Sequence, residues 1–188
     1  MPFDSLDDDA LRDAVRTLLD RQAVEDVVTA YATCLDARDW QGLRACFTDD
    51  AVADYGTAGH FEGADTIVAG CREPLSGLDG SQHLLGTIRV RVDGDRATAT
   101  SYVHAQHVLA NDQGESLAVM AGTYTQQLVR TPDGWRIEAL SYDSSWRSGN
   151  PAILGEAGTG VLTRLREQRK RERARSAAVV PPDPESGA

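Results

Sequence analysis

The sequence has few cysteines and no long hydrophobic run, and each absence argues against a class of protein. Its three cysteines are an odd number without a CxxC pair: Cys34, Cys46 and Cys71. That pattern is typical of reduced thiols and argues against a disulfide framework or a zinc site. No apolar stretch reaches the roughly 18 residues that a membrane-spanning helix needs. The N-terminal MPFDSLDDDALRDAV lacks the basic and apolar regions of a signal peptide, so we expect a cytoplasmic protein.

Basic charge is scarce as well. The chain has 19 basic and 29 acidic residues, a formal net charge of −10, which argues against nucleic acid as a partner of the folded body. Seven of the basic groups lie in RLREQRKRERAR, residues 164–175. This segment could bind an anionic surface or RNA, but the interspersed Glu167 and Glu172 favour a solvated helix. The final VVPPDPESGA is Pro-rich and polar, which predicts disorder.

The common cofactor and nucleophile motifs are missing. The sequence contains no GxGxxG, no Walker loop and no GxSxG. No set of His, Asp and Glu has recognisable metal-ligand spacing. We therefore expect neither a cofactor nor a metal.

The first part of the chain has mainly helical periodicity. Residues 5–19 predict a helix capped by Ser5 with acids in its first turn, and residues 21–38 predict a second helix. One face of the second helix is apolar: Val24, Val27, Val28, Tyr31 and Leu35. DWQGLRACF predicts a short third helix, AVADYGTAGHFEG two short strands, and ADTIVAGCREPL a helix that Pro74 ends.

From residue 81 the period changes to two. Two hairpins are predicted, turning at Asp93-Gly94-Asp95 and at Pro132-Asp133-Gly134. Helices followed by an antiparallel meander indicate an α+β fold, a cone-shaped domain in which a curved, mainly antiparallel sheet wraps around the N-terminal helices. We assign this domain to residues 1–150 and a basic helix with a disordered Pro-rich tail to residues 151–188. Such a fold leaves a conical cavity, where ligand sites are favoured.

Asp36 lies in YATCLDARDW, close to the apolar side of the second predicted helix. On a helical wheel it lies about 100° from Leu35, at the border of the apolar face. A solvated acid near a helix C-terminus is the alternative to a functional acid, although the helix dipole disfavours negative charge there. The two interpretations are evenly balanced on this residue alone.

His83 begins the first hairpin. By strict alternation it shares a side with Arg89 and Arg91 and would face solvent. Gly86 could host a β-bulge that reverses this parity and turns His83 inward. A structural histidine with satisfied hydrogen bonds is the alternative.

His107 lies on the next strand, on a face shared with alanine, valine and leucine, whereas His104 lies on the opposite face. Alternation weakly favours His107 as the inward histidine. Tyr31 lies on the apolar helical stripe and Tyr55 ends the first short strand. Both tyrosines are core residues by default and functional only in combination. An Asp, one or two His and Tyr around an apolar cavity are suited to moving a proton between carbon and oxygen.

The layout and motifs resemble the nuclear transport factor 2-like superfamily, in its SnoaL-like branch. The resemblance covers residues 10–147 and rests on YATCLDARDWQGLRACFTDDAVADYG, SQHLLGTI and DGWRIEAL. Within it, the motifs are similar to those of scytalone dehydratase and the bile-acid dehydratase. The matching elements are a Tyr-x4-Asp pair, Tyr31 and Asp36, then the Gln82-His83 pair, Tyr55 and, with a gap, His107. Leu35 stands where scytalone dehydratase has a tyrosine.

The resemblance implies a cofactor-free dehydratase for a hydrophobic, oxygenated ring substrate, such as a polyketide- or steroid-like molecule. His83, oriented by Asp36, would take the proton beside a carbonyl, Tyr31 and Tyr55 would bind the carbonyl oxygen, and His107 would help the hydroxyl leave. Isomerase, polyketide cyclase and a non-catalytic binding or dimerising domain remain alternatives. The expected partners are a small hydrophobic substrate and further copies of the chain in a dimer or trimer, with no nucleic acid and no membrane.

Overall fold

A computed structural model describes residues 7–112 and 114–155, and it begins with one long helix. This helix, α1, spans Asp8–Ala37, with Asp7 as its N-cap. The sequence predicted two helices here. The prediction of a break was wrong, because no Gly or Pro interrupts the chain between them and Asp20 bonds to Arg130 instead of capping a new helix. Ser5, the predicted cap, lies outside the described residues.

Short elements connect α1 to the main sheet. They are α2 (Trp40–Ala45), β1 (Phe47–Asp54), a 3₁₀ turn (Gly56–Ala58), β2 (His60–Glu62) and α3 (Ala64–Leu75). Asp39 caps α2 by accepting from the backbone N–H of Gly42 at 2.9 Å. Pro74 lies in the last turn of α3, where the helix ends. The short helices and the strand pair expected from the sequence are therefore present.

Four long strands complete the sheet. They are β3 (Gly80–Asp93), β4 (Arg96–Val108), β5 (Leu117–Thr131) and β6 (Gly134–Gly149). The six strands follow the order β2-β1-β6-β5-β4-β3, and only the β1–β6 pair is parallel. The predicted α+β class with a curved, mainly antiparallel sheet is confirmed.

The core lies between α1 and the concave face of the sheet. Along the helix it contains Val24, Val28, Tyr31 and Leu35, all nearly without solvent exposure. Burial of each such aliphatic side chain contributes about 1.5–3 kcal/mol to folding. Among the helices of the described residues, none is long and apolar enough to cross a membrane.

The described chain ends on the sheet. Pro151–Leu154 forms a 3₁₀ turn whose buried Ile153 packs with Leu109 and Ala118. The basic helix and Pro-rich tail predicted for 151–188 lie outside the described residues from 156 onward. They stay predictions.

A β-bulge interrupts β3. Gly86 pairs with Tyr102, but Arg89 pairs with Thr100, so β3 has one residue more than β4 over this interval. The left-handed residue is Thr87, with φ +51°, one position after the glycine that the sequence singled out. Because of the extra residue, Ile88, Val90 and Val92 lie on the same face of β3 as His83 and Leu85. The predicted reversal of parity is confirmed, and His83 faces the concave side.

Candidate functional site

The concave face and the helices enclose a cavity of about 520 Å³. Four of the five predicted site residues line it: Tyr31, Tyr55, His83 and His107. The volume lies in the range of pockets that hold a drug-sized ligand. The fifth predicted residue, Asp36, contacts His83 from α1.

Asp36 and His83 form a two-point contact between α1 and β3. One carboxylate oxygen of Asp36, Oδ1, lies 2.7 Å from His83 Nδ1. The other, Oδ2, accepts the backbone N–H of His83 at 2.8 Å. The side chain of His83 is 6% exposed and that of Asp36 is 26% exposed. The pair is thus partly shielded from water, where charge-assisted hydrogen bonds are strongest.

The Asp36 contact defines the protonation pattern of His83. Burial raises the pKa of Asp36, but hydrogen bonds from the side chain and backbone of His83 and from Ser81 outweigh it, so its pKa lies below the ordinary value. An ionised carboxylate can only accept, so His83 Nδ1 must carry the proton. The lone pair of the neutral ring is then on Nε2, the nitrogen that is left for a ligand in the cavity.

His107 lies beside His83 on β4. The two ring centroids are 5.4 Å apart at an interplanar angle of 84°, and His107 is 3% exposed. Burial and the neighbouring His83 lower the pKa of His107 to about 4, so it is neutral near pH 7. His104 points to the opposite face, against Trp146 at 5.6 Å. Alternation had favoured His107 as the inward histidine, and this is confirmed.

Tyrosine hydroxyls form a second polar group in the cavity. The hydroxyl oxygens of Tyr31 and Tyr55 are 3.0 Å apart, and the Cys71 thiol lies 3.6 Å from that of Tyr55. The ring of Tyr124 packs edge-on against Tyr31 with centroids 5.6 Å apart. Burial raises the pKa of all three tyrosines above the ordinary value, so they are neutral hydrogen-bond donors.

Tyr124 and Cys71 were not among the predicted site residues. Tyr124 lies four residues after Met120 on the same face of β5, and both line the cavity, so the period of two along this strand was the available signal. Cys71 was interpreted only as a small apolar residue. Its position in the site depends on how α3 packs against β1, which no local pattern reveals.

The lining is mostly apolar, with few charges. Glu73 is the one ionisable carboxyl among the described lining residues, and these include no Arg or Lys. Within the described chain, no group of three or more His, Cys, Asp and Glu is placed to hold a metal. A neutral or cationic ligand in this site would therefore meet an imidazole base, His83, and the neutral hydroxyl groups of the tyrosines.

Comparisons with known proteins agree with this fold. The model of the SnoaL-like domain family matches residues 16–141. The uncharacterized protein Rv2910c of Mycobacterium tuberculosis is 33% identical over 126 residues, which cover 66% of this chain and 84% of that protein.

Two solved structures with related folds have names that state a reaction. One, from Novosphingobium aromaticivorans, is named as a proposed scytalone dehydratase; it is 20% identical, has a TM-score of 0.64, and the match covers 71% of this chain and 89% of that one. The other is the hexachlorocyclohexane dehydrochlorinase LinA-type3 from Novosphingobium barchaimii, 18% identical, with a TM-score of 0.63 and coverage of 71% and 91%. At these identities the likeness concerns the fold.

Proposed function

The chain belongs to the SnoaL-like domain family, and from this membership and its site we propose that it is a cofactor-free dehydratase. The proposed substrate is a hydrophobic, oxygenated ring molecule, of polyketide or steroid type. The observation that carries the proposal is the 2.7 Å contact between Asp36 and His83 on the wall of a cavity that also contains paired tyrosine hydroxyls.

In the first step His83 acts as the base. Its Nε2 takes a proton from the carbon beside a carbonyl, and the ring becomes an imidazolium that the Asp36 carboxylate stabilises through Nδ1–H. The Asp36 contact also holds the ring in the tautomer that keeps Nε2 free. A positioned base of this kind contributes roughly 10²–10⁴-fold to a rate.

Negative charge then develops on the carbonyl oxygen. Tyr31 and Tyr55 supply neutral hydroxyls 3.0 Å apart: one donates its proton to the other, and the proton of the accepting hydroxyl is left to bind the carbonyl oxygen. Donors that are already oriented for a developing oxyanion lower the barrier without reorganisation.

The second step expels the hydroxyl group from the next carbon. The C–O bond breaks, a C=C bond forms beside the carbonyl, and the leaving oxygen needs a proton to depart as water. His107 is a poor acid because it is neutral and buried. The proton therefore returns from the His83 imidazolium, while His107 binds the leaving oxygen by a hydrogen bond. This assignment refines the role that the sequence suggested for His107.

The names of the two structural neighbours support elimination. Dehydration and dehydrochlorination both remove a proton and a leaving group from adjacent carbons. Both reactions need a positioned base, and dehydration beside a carbonyl also uses the oxyanion donors. Of the chemistries open to the site, elimination is therefore the one that we propose first.

Isomerisation is the second candidate, and one observation favours it. Since His107 is neutral, the proposed mechanism gives both proton transfers to one residue, His83. One base that removes a proton and returns it to a different carbon gives an isomerase. A substrate without a leaving group would follow that course in this cavity.

Proton exchange on a model ketone tests the first step without the natural substrate. 2-Tetralone is small enough for the cavity and has acidic protons beside its carbonyl. In D₂O the wild-type protein should exchange these protons faster than His83→Gln does, after subtraction of the buffer rate. Equal rates for the two proteins, together with equal binding of the enolate mimic 2-naphthol, would support the alternative of a non-catalytic binding domain.

A further inference from the structure

Arg38 occupies the point where α1, α3 and β3 meet. It is the first residue after α1 and has a left-handed conformation, φ +59°. Its guanidinium Nε donates to the Leu75 carbonyl at 3.1 Å, and Nη1 donates to the Leu35 carbonyl at 2.6 Å. These carbonyls lie at the C-terminal ends of α3 and α1, where a positive charge is favourable. Arg38 thus holds both helix ends together beside β3.

The same guanidinium contacts the hydroxyl of Ser81. Nη1 donates to Ser81 Oγ at 2.6 Å, and Ser81 Oγ lies 3.1 Å from Asp36 Oδ1. A guanidinium has no acceptor atom, so Ser81 must accept from Arg38. The hydroxyl proton is then directed at the carboxylate. Asp36 Oδ1 therefore has two donors, Ser81 Oγ and His83 Nδ1.

We propose that Arg38 and Ser81 are positioning residues that hold the Asp36 carboxylate in its orientation toward His83. Neither residue is among those that line the cavity, so neither contacts a ligand there. Their effect on the reaction passes through Asp36. This inference rests on the proposed function only where it concerns the rate; the effect on Asp36 itself does not depend on it.

The arrangement explains how an acid can work at a helix C-terminus. The last carbonyls of α1 disfavour a carboxylate at Asp36. The Arg38 guanidinium binds the Leu35 carbonyl and lies within 3.3 Å of the Asp36 carbonyl, and so offsets this field. Ser81 adds a hydrogen bond that only the ionised carboxylate uses fully. Together they keep Asp36 charged in a position that would otherwise favour protonation.

A purely structural role for Arg38 as a helix cap makes a different prediction. A cap would stabilise α1 and α3, and its loss would lower stability without any dependence on Ser81. The positioning role requires the two residues to act on Asp36 as one unit. A double-mutant cycle separates these cases, because residues in one hydrogen-bond network have non-additive effects.

The experiment follows the side-chain carboxyl carbon of Asp36 by NMR during a pH titration of the free protein. The variants are Ser81→Ala, Arg38→Gly and the double variant, with Ser81→Thr to restore the hydroxyl. Glycine is chosen at position 38 because it adopts the left-handed conformation without strain. If Arg38→Gly lowers stability too far, Ser81→Ala alone still tests the contact with Asp36.

We expect the titration midpoint of Asp36 to move up in Ser81→Ala and in Arg38→Gly, and to return toward wild type in Ser81→Thr. The double variant should move by less than the sum of the two single shifts, because part of the Arg38 effect passes through Ser81. An unchanged midpoint in Ser81→Ala overturns the inference, as does a double variant whose shift is the sum of the single shifts.

Exchange of 2-tetralone protons then tests the consequence for the reaction. Ser81→Ala should lower the maximal rate roughly ten-fold, the rate equivalent of one hydrogen bond to a charged group, with little change in KM. Failure of wild-type exchange would count against the proposed function and leave the Asp36 titration result standing. A shifted midpoint with unchanged exchange would overturn the positioning role alone.

Discussion

The cavity has two polar walls, an ionic wall with Asp36, His83 and His107 and a tyrosine wall with Tyr31 and Tyr55, and they hold polar groups away from water in different ways. On the first, a charge persists because three donors from β3 converge on one carboxylate. On the second, burial raises the pKa of each tyrosine, and the hydroxyls stay neutral. The two walls therefore have complementary tasks. The carboxylate of the ionic wall stabilises the imidazolium formed by proton transfer, and the tyrosine hydroxyls stabilise the negative charge that develops on the carbonyl oxygen.

The two walls also differ in how they depend on the fold. The ionic wall requires α1, β3 and the bulge to bring distant residues within 2.7–3.1 Å. The tyrosine wall is part of the aromatic core, where Tyr31 packs edge-on against both Phe47 and Tyr124. We therefore expect substitutions on the ionic wall to change the reaction, and substitutions on the tyrosine wall to change both the reaction and packing.

The largest expected effect is that of Asp36→Asn. The amide would present its NH₂ group to His83 Nδ1 and so favour the tautomer whose Nε2 carries the proton, which leaves no base in the cavity. Exchange of 2-tetralone protons should fall by roughly 10²–10⁴-fold. Asp26→Asn, at an exposed acid on the same helix, is the matched control and should keep the wild-type rate.

Stability gives an independent measure of the same substitution. Asp36 accepts hydrogen bonds from both Ser81 and His83, so Asp36→Asn should lower the free energy of unfolding. An acid that was merely solvated at the end of α1 would give the opposite sign, because its removal relieves a charge–dipole contact. Full exchange activity with a small gain in stability would eliminate the ionic wall as a reaction site.

The sequence predicted some residues of the ionic wall better than others. His107 followed from alternation because β4 pairs with β5 without interruption along its length. Periodicity alone left Asp36 undecided, because a helical wheel places it only at the border of the apolar face, and it was the family resemblance that predicted a functional acid there. Its partners, His83 and Ser81, are more than 40 positions away in the chain. Arg38 was not predicted as a functional residue, because its role depends on three elements that meet only in the folded protein.

The second prediction concerns how stability depends on pH through His107, the neutral residue of the ionic wall. Burial depresses the pKa of His107 to about 4, whereas an unfolded chain protonates histidine near 6.5. Between these values the unfolded state binds a proton that the folded state does not, so stability falls as the pH is lowered from about 6.5 to about 4. The loss is of order 3 kcal/mol.

Urea denaturation of wild type and His107→Gln at pH 7 and pH 4.5 measures this contribution. The variant should lose less stability than wild type over that interval. Asp36 does not affect the comparison. Because its pKa is lowered in the folded protein, its contribution to stability is lost only at pH values below the ordinary pKa of aspartate. Parallel losses in the two proteins would show that His107 titrates normally and belongs with the charged residues of the wall.

Tyr55→Phe should have the next largest effect, on the opposite wall. It removes one of the two close hydroxyls and should lower the rate of 2-tetralone exchange by about 10²-fold, a typical result for one oxyanion donor. Tyr142→Phe is the matched control, since that hydroxyl donates to the Ala121 carbonyl. Equal rates for the two variants would mean that the oxyanion lies elsewhere and that the walls do not divide the task.

The smallest expected effect is at Thr87, the residue that reverses the parity of β3. A β-branched side chain in the left-handed region costs of order 1–3 kcal/mol, and Asn tolerates this conformation better. Thr87 is exposed, so Thr87→Asn should raise the free energy of unfolding by about 1 kcal/mol and leave exchange unchanged. Thr98→Asn is the control, because the exposed Thr98 lies in regular strand pairing, where Asn is unfavourable.

The sign of the difference between these two variants decides the origin of the bulge. If Thr87→Asn gains stability while Thr98→Asn loses it, the strained conformation belongs to the native backbone, and the bulge that turns His83 inward is maintained against a local preference. The ionic wall then depends on a backbone feature that the tyrosine wall does not need. If both variants lose stability equally, position 87 has no left-handed strain to relieve, and the bulge that turns His83 inward is maintained without a local cost.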